Sequence, residues 1–233
     1  MKFNPATKSA ATSPLVWEIG KRVWPELVAY HPPAAKAAKR GQTNVVAYST
    51  DCCIAACKVT EYLLCRFGYQ CEIVPTTVSI ANAILANKIT TELRQPADEA
   101  EALRWREEGC YSVIIGHYQM EQRPNKVPVH LVVKVSDGEQ AALVDTSIKQ
   151  ADRPEFDIVL PNAIVVPWGS HPDDRCITSF LATEEVSNKE MHITYIHHPK
   201  PDLRYKTSPD WVTDRWKPFA ERILSSLPKH LQL

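Results

Sequence analysis

Apolar positions near the start of the chain recur every three or four residues, which predicts a helix over residues 15–30. Its apolar face consists of Val16, Ile19, Val23 and Leu27. Ser13-Pro14 offers a capping hydroxyl followed by a proline at the first helical position. Pro25 predicts a kink within the helix. Residues 1–12 are small and polar, and we expect them to be a disordered tail.

A sharper helical pattern follows Thr50 and Asp51, either of which can cap a helix. The apolar side of this predicted helix consists of Ile54, Cys57, Val59, Tyr62, Leu63 and Leu64. Gly68 ends it just after Arg66, as a glycine at a helix C-terminus commonly does. Cys53 therefore falls at the start of a predicted helix.

Strand-like segments dominate the rest of the chain. They are residues 70–79, 111–118, 128–135, 141–146, 157–160, 164–166 and 192–197. A charged surface helix is predicted over 99–108, and Ser208-Pro209-Asp210 indicates the start of a last helix that Pro218 would kink. Asp137-Gly138 predicts a hairpin turn between the strands at 128–135 and 141–146.

Helices come first and an antiparallel sheet follows, so the pattern predicts an α+β fold. At 233 residues and 44% hydrophobic composition, the chain is long enough to bury a substantial core. We expect one domain over 13–233, with a core at 45–150 and a C-terminal elaboration at 151–233.

Composition narrows the classes of function. Lysine plus arginine total 27, and so do aspartate plus glutamate. The chain therefore has no net positive charge that would attract nucleic acid. The apolar stretches are far shorter than the roughly 18–20 residues that span a bilayer, and the first residues lack the apolar run of a signal peptide. We therefore expect a cytoplasmic protein, without membrane or nucleic-acid partners, whose seven cysteines are reduced thiols.

Three residues form a candidate thiol site. Cys53 at a helix start would benefit from partial positive charge and unpaired N–H groups, which favour a thiolate and can hold an oxyanion. His130 opens an apolar strand, Asp145 closes the next one, and the hairpin between them would bring the two together. A nucleophile, a base and an orienting carboxylate are the parts of a catalytic triad.

These segments resemble the transglutaminase-like superfamily, which is related to the papain-like proteases. The resemblance covers residues 45–150: a helix-starting cysteine, the helix end Leu63-Leu64-Cys65-Arg66-Phe67-Gly68, and the strands His130-Leu131-Val132-Val133 and Leu143-Val144-Asp145-Thr146. It implies a nucleophile-bearing helix packed on an antiparallel sheet and a Cys53–His130–Asp145 triad.

The resemblance further implies acyl transfer without a cofactor, on a peptide, protein or small amide. The arginine and paired glycines that precede the cysteine in arylamine N-acetyltransferases are absent, which argues against that activity. Water as acceptor would make the protein a peptidase or amidase, whereas an amine would make it a transglutaminase-type transferase. Hydrolysis is the simpler expectation, because it needs no second binding site.

Other interpretations of these residues stay open. Cys52 is the neighbouring candidate nucleophile, but one step turns a side chain by about 100° around a helix, so only one of the two can face His130. The first oxyanion donor would be the Cys53 N–H, and a second could come from Gln42 or Asn44. The cysteines between Cys52 and Cys71 could instead bind zinc. The fold could also serve as a non-catalytic binding module with an inert thiol.

Overall fold

The computed structural model describes residues 13–31, 52–116, 129–169, 175–182, 190–198 and 203–232. Within these residues it contains five α-helices: α1 (Pro14–Tyr30), α2 (Cys52–Arg66), α3 (Ala83–Glu92), α4 (Glu99–Glu107) and α5 (Lys217–Ser226). It also contains seven strands: β1 (Gln70–Asn82), β2 (Ser112–Ile115), β3 (His130–Ser136), β4 (Ala141–Asp145), β5 (Ile164–Pro167), β6 (Cys176–Ala182) and β7 (Met191–His197). None of the described helices is long and apolar enough to span a bilayer.

The described strands form one antiparallel, nearly closed sheet, so the fold is α+β as predicted. The strand order is β5-β4-β3-β1-β7-β6, and β2 pairs with β1. β1 is the longest strand and the centre of the sheet: it pairs with β3, β2 and β7. The predicted hairpin between β3 and β4 is present, and Gly138 adopts a positive φ of 100° in its turn.

At β3 and β4 the sheet is buried on both faces, and alternate residues of each strand point to opposite sides. One face packs against α1, α2 and α5; we call its apolar residues the helix-side cluster, and they include Leu131, Val133 and Val144. The other face carries the opposite-face cluster, which includes Val132 and Leu143. Residues that are adjacent along β3, or along β4, therefore point into different cores.

Several element predictions are confirmed with shifted bounds, and some details are wrong. Ser13 occupies the N-cap position of α1, but its hydroxyl makes no capping bond and instead lies 2.8 Å from the Tyr69 hydroxyl. α1 runs through Pro25 as one helix. The strand predicted at 157–160 is absent: Ile158 forms only an isolated bridge with Arg153, next to a 3₁₀ turn at Pro154–Phe156.

The last helix also begins later than predicted. Ser208 does start a helical segment, but it is a 3₁₀ turn at Pro209–Trp211, and a second 3₁₀ turn follows at Thr213–Trp216. α5 begins only at Lys217, so Pro218 lies in its first turn, where proline is well tolerated, and causes no kink. β6 is a strand that the sequence pattern did not predict.

Candidate active site

The structure brings His130 and Asp145 together on one face of the β3–β4 hairpin. His130 is the first residue of β3 and Asp145 the last of β4. The register pairs Val133 with Val144, so Asp145 lies opposite Val132 and diagonally across from His130. His130 Nε2 is 2.7 Å from Asp145 Oδ2, and both side chains are fully buried.

The Asp145 carboxylate receives further hydrogen bonds from two residues. The backbone N–H of Ser147 donates to Oδ1 at 2.9 Å, and the Ser147 hydroxyl donates to the same oxygen at 3.3 Å. The Tyr195 hydroxyl donates to Oδ2 at 2.9 Å. Burial raises the pKa of Tyr195, and the neighbouring Asp145 charge raises it further, so the phenol stays protonated and remains a donor. The buried carboxylate is therefore fully hydrogen-bonded.

This arrangement fixes the tautomer of His130. Because Asp145 accepts at Nε2, that nitrogen carries the proton in the neutral imidazole, and Nδ1 becomes the nitrogen with a free lone pair. The Gln150 amide nitrogen approaches Nδ1 at 3.4 Å, a long and therefore weak hydrogen bond. The imidazole is thus held by a carboxylate on one side and presents a basic nitrogen on the other.

The backbone around His130 is closely packed. Thr76, its partner on β1, donates a hydrogen bond from its hydroxyl to the His130 carbonyl at 3.1 Å. Gly116 follows β2 with a φ of 72°, and a Cβ at this position would lie 2.4 Å from the His130 nitrogen. Glycine is required at this position for both reasons, so Gly116 helps to define where the His130 backbone lies.

Cys53 is the second residue of α2, as predicted, and is buried. A tight turn joins α2 to β1, so the helix runs antiparallel to β1 and parallel to β3. Its N-terminus therefore points to the end of the sheet where His130 lies. The Thr60 hydroxyl is 2.9 Å from the Thr146 hydroxyl, just after Asp145. Cys53 precedes Thr60 by seven residues, so it lies roughly 10 Å closer to the N-terminus along the helix axis.

Cys53 and the His130–Asp145 pair belong to different faces of the sheet. Cys53 packs in the helix-side cluster. Tyr195, which contacts Asp145, belongs to the opposite-face cluster, and strand alternation places His130 on that same face. The structure therefore brings two of the three predicted residues into contact, and it places the third at the same end of the sheet but on its helix side.

Cys57, one turn after Cys53, illustrates the electrostatics of this region. Burial raises the pKa of the Cys57 thiol well above its ordinary value, and negative charge on Cys53 and on Asp145 raises it further. Cys53 and Asp145 are therefore each within electrostatic range of Cys57. Cys57 stays a neutral thiol, which makes it unsuited to act as a nucleophile in place of Cys53.

Sequence reasoning missed three contributors to the site. Ser147 had a usable signal, since an aspartate commonly accepts from the backbone two residues later. Tyr195 had none, because it lies on β7, 50 residues after Asp145. Gln150 follows Asp145 closely, in the 3₁₀ turn Ile148–Ala151, but no local pattern indicates that its side chain reaches His130. The proposed caps and oxyanion donors, Thr50, Asp51, Gln42 and Asn44, lie outside the described residues.

None of the seven cysteines is in a disulfide. In the described part of the chain, no group of three or more histidine, cysteine, aspartate or glutamate side chains is placed to hold a metal ion. Cys52, Cys53 and Cys57 are buried along α2, whereas Cys65 is exposed at its far end.

Comparison with known proteins identifies no relative: no family model, no curated protein and no solved structure matches the chain. The transglutaminase-like assignment therefore stays a prediction, and the function has to be inferred from the chemistry of the site.

Proposed function

We propose that this protein is a thiol-dependent acyl-transfer enzyme in which Cys53 is the nucleophile, His130 the base and Asp145 the residue that orients His130. The observation that carries the proposal is the buried 2.7 Å contact between His130 and Asp145. Replacing a buried pair of ionisable groups by apolar side chains is often neutral or stabilising, so stability alone is a weak reason for such a pair. An imidazole with a fixed tautomer is, in contrast, what general-base catalysis requires.

The proposed reaction passes through a thioester. His130 Nδ1 takes the Cys53 proton as the sulfur attacks the carbonyl carbon of an amide or ester. The tetrahedral intermediate collapses when the bond to the leaving group breaks and that group takes the proton from His130. Water, or an amine in a transferase, then gives a proton to His130 and attacks the thioester carbonyl. The C–S bond breaks, the acid or the new amide leaves, and the sulfur takes the proton back from His130 to restore the thiol.

The location of Cys53 sets one condition for this function. Sγ of Cys53, on the helix side of the sheet, and Nδ1 of His130, on the opposite face, have to meet around the end of β3 at which His130 lies. The N-terminus of α2 supplies backbone N–H groups for the oxyanion and partial positive charge for the thiolate.

A second candidate function is a non-catalytic binding module. It is favoured by the Gln150 amide at Nδ1 of His130 and by the placement of Cys53 on the opposite side of the sheet. In that case the pair would serve to hold β3 and β4 to β7, through the Tyr195 hydroxyl.

The alkylation rate of Cys53 by iodoacetamide as a function of pH distinguishes the two functions. Mass spectrometry locates the label within the peptide 41–58, and the exposed Cys65 provides the labelling rate of an accessible thiol in the same sample. For an enzyme, we expect Cys53 to titrate well below about 8.5. The substitution His130→Gln should return its titration to the ordinary range.

Cys52→Ser is the matched control, because it changes the adjacent thiol and should leave the Cys53 profile unchanged. Circular dichroism and thermal unfolding would establish that each variant is folded. A Cys53 that stays unlabelled in the folded protein while Cys65 reacts would refute the catalytic proposal and support the binding module.

A further inference from the structure

A second site lies away from the His130–Asp145 pair, in a cavity of about 220 Å³. Its walls come from α3, α4, the start of β2 and the 3₁₀ turn Pro154–Phe156. At about 30 Å³ per water molecule, the volume corresponds to roughly seven waters. It is smaller than the usual pocket for a drug-sized molecule, so it fits a small ligand.

The buried side chain of Asn82 ties these walls together. Its amide nitrogen donates to the carbonyls of Gly109, at 2.8 Å, and Phe156, at 3.1 Å. Its amide oxygen accepts from the backbone of Leu85, at 3.0 Å, and Tyr111, at 3.2 Å. One residue thus connects α3, the end of α4, the approach to β2 and the 3₁₀ turn. A cavity held in this way is preformed, which lowers the entropic cost of binding.

The lining combines flat aromatic surface with positive charge. Trp105, Tyr111 and Phe156 contribute rings, and the last two stack with their centroids 4.2 Å apart. Arg153 and Arg106 also line the cavity, whereas aspartate and glutamate are missing from the described residues that form its walls.

Arg153 is the unusual member of the lining, because its side chain is almost fully buried, with 5% of the residue exposed. Among the described residues, its guanidinium has the Asp152 carbonyl as its hydrogen-bond partner, through Nη1. The Asp152 carboxylate pairs with Lys149 instead, at 3.0 Å. Burying a cation without a carboxylate partner is unfavourable unless another anion pairs with it.

The Cys110 thiol in the cavity wall carries no negative charge that would repel an anion. Burial raises the pKa of the Cys110 thiol, which lines the cavity, so this group stays neutral. Arg106 is exposed and lies toward solvent, where a ligand would enter. The charges of the lining are therefore positive at the buried Arg153 and at the exposed Arg106.

We propose that this cavity binds a small aromatic carboxylate, whose carboxylate pairs with Arg153 and Arg106 while its ring packs against Trp105, Tyr111 and Phe156. The planar guanidinium suits the two oxygens of a carboxylate, and the aromatic walls suit a flat ring. The site is independent of the acyl-transfer proposal: it holds whether or not Cys53 is a nucleophile.

Benzoate is the probe that tests the charge and the ring together, and benzamide is its neutral counterpart of nearly equal shape. We expect titration calorimetry on the full chain to detect benzoate and to find benzamide at least tenfold weaker, because a charge-assisted pair is lost. Inorganic phosphate should also bind at least tenfold more weakly than benzoate, because it lacks the ring.

Two substitutions locate the site. Arg153→Gln should weaken benzoate binding about tenfold or more, and Arg106→Gln should weaken it by a smaller factor without altering thermal stability, because Arg106 is exposed. Arg104→Gln is the matched control: Arg104 is an exposed arginine on the same helix, outside the cavity lining, and its loss should leave binding unchanged.

Equal binding of benzoate and benzamide would overturn the proposal, as would phosphate binding as tight as that of benzoate. Benzoate binding that survives both Arg153→Gln and Arg106→Gln would also overturn it. If Arg153→Gln does not fold, the Arg106→Gln and Arg104→Gln pair still decides the outcome.

Discussion

Tyr195→Phe is the most informative single substitution, because it removes one hydroxyl from the buried network and adds nothing. The ring stays in the opposite-face cluster, so no cavity larger than the hydroxyl forms. What is lost is the 2.9 Å hydrogen bond to Asp145 Oδ2. His130 then becomes the remaining side-chain donor described at that oxygen.

The expected loss of stability follows from the kind of hydrogen bond that is removed. A hydrogen bond to a charged group is worth about 1.5–3 kcal/mol, so we expect the free energy of unfolding to fall by about 2 kcal/mol near pH 7. For a chain of this length that corresponds to a decrease in Tm of roughly 4–8 °C. Asp145→Asn should cost more, about 3–5 kcal/mol, because it also breaks the buried pair with His130.

The pH dependence provides a second, independent signature. Burial raises the pKa of Tyr195 above its ordinary value of about 10, so at higher pH the unfolded chain loses the phenolic proton while the folded protein keeps it. The contribution of Tyr195 to stability is therefore complete below about pH 10 and declines above it, by up to about 1.4 kcal/mol per pH unit. Phenylalanine has no such dependence, so the two proteins should become equally stable at roughly pH 11.5.

Urea unfolding, followed by tryptophan fluorescence between pH 7 and 11.5, measures both quantities. Tyr62→Phe is the control, since this half-buried tyrosine of α2 lies outside the network, and its loss should shift stability by less than about 0.5 kcal/mol. If Tyr195→Phe were as stable as the wild type at pH 7, the hydrogen bond would contribute nothing. A difference that stays constant up to pH 11.5 would contradict the assignment of the raised pKa.

Two further predictions concern the packing that positions His130 and Asp145. Thr60→Val should destabilise the protein by about 1–3 kcal/mol, because it leaves the buried Thr146 hydroxyl without its 2.9 Å partner. A double-mutant cycle with Thr146→Val should show a coupling energy above about 0.5 kcal/mol. Gly116→Ala should lower the free energy of unfolding by more than about 3 kcal/mol or prevent folding, since the added Cβ meets the His130 backbone. Gly138→Ala is the comparison: Gly138 also has a positive φ but has open space around it, so the loss should be only about 1–2 kcal/mol. Equal losses in thermal unfolding for the two glycine variants would refute the steric argument.

Local pattern in the sequence was sufficient for much of this fold. Periodicity identified α1 and α2, a charged stretch identified α4, and short apolar runs on either side of the Asp137-Gly138 turn identified β3 and β4, because these signals depend only on neighbouring residues. The same hairpin reasoning predicted that His130 and Asp145 lie together. Where a signal depended on distant residues, prediction failed: β6 is recognised as a strand only through its pairing with β7.

The relation of Cys53 to His130 shows a second limit of sequence reasoning. Residues 131–133 of β3 are all apolar and fully buried, so the strand is apolar on both sides. The sequence therefore contains no indication of which alternate set faces α2. Only the packed structure assigns Leu131 and Val133 to the helix side and His130 to the other face.

The central position of β1 has a consequence for how the chain folds. Its pairing with β7 joins Ile80 to Ile193, more than 100 residues later, whereas its pairing with β3 joins residues much closer in sequence. Closing the longer loop costs more entropy, so we expect β7 to dock late, both in refolding and during synthesis on the ribosome. Until then one edge of β1 has unpaired backbone groups and can recruit strands of other chains. The strand that organises the finished sheet is therefore also the segment where aggregation of the nascent protein would begin.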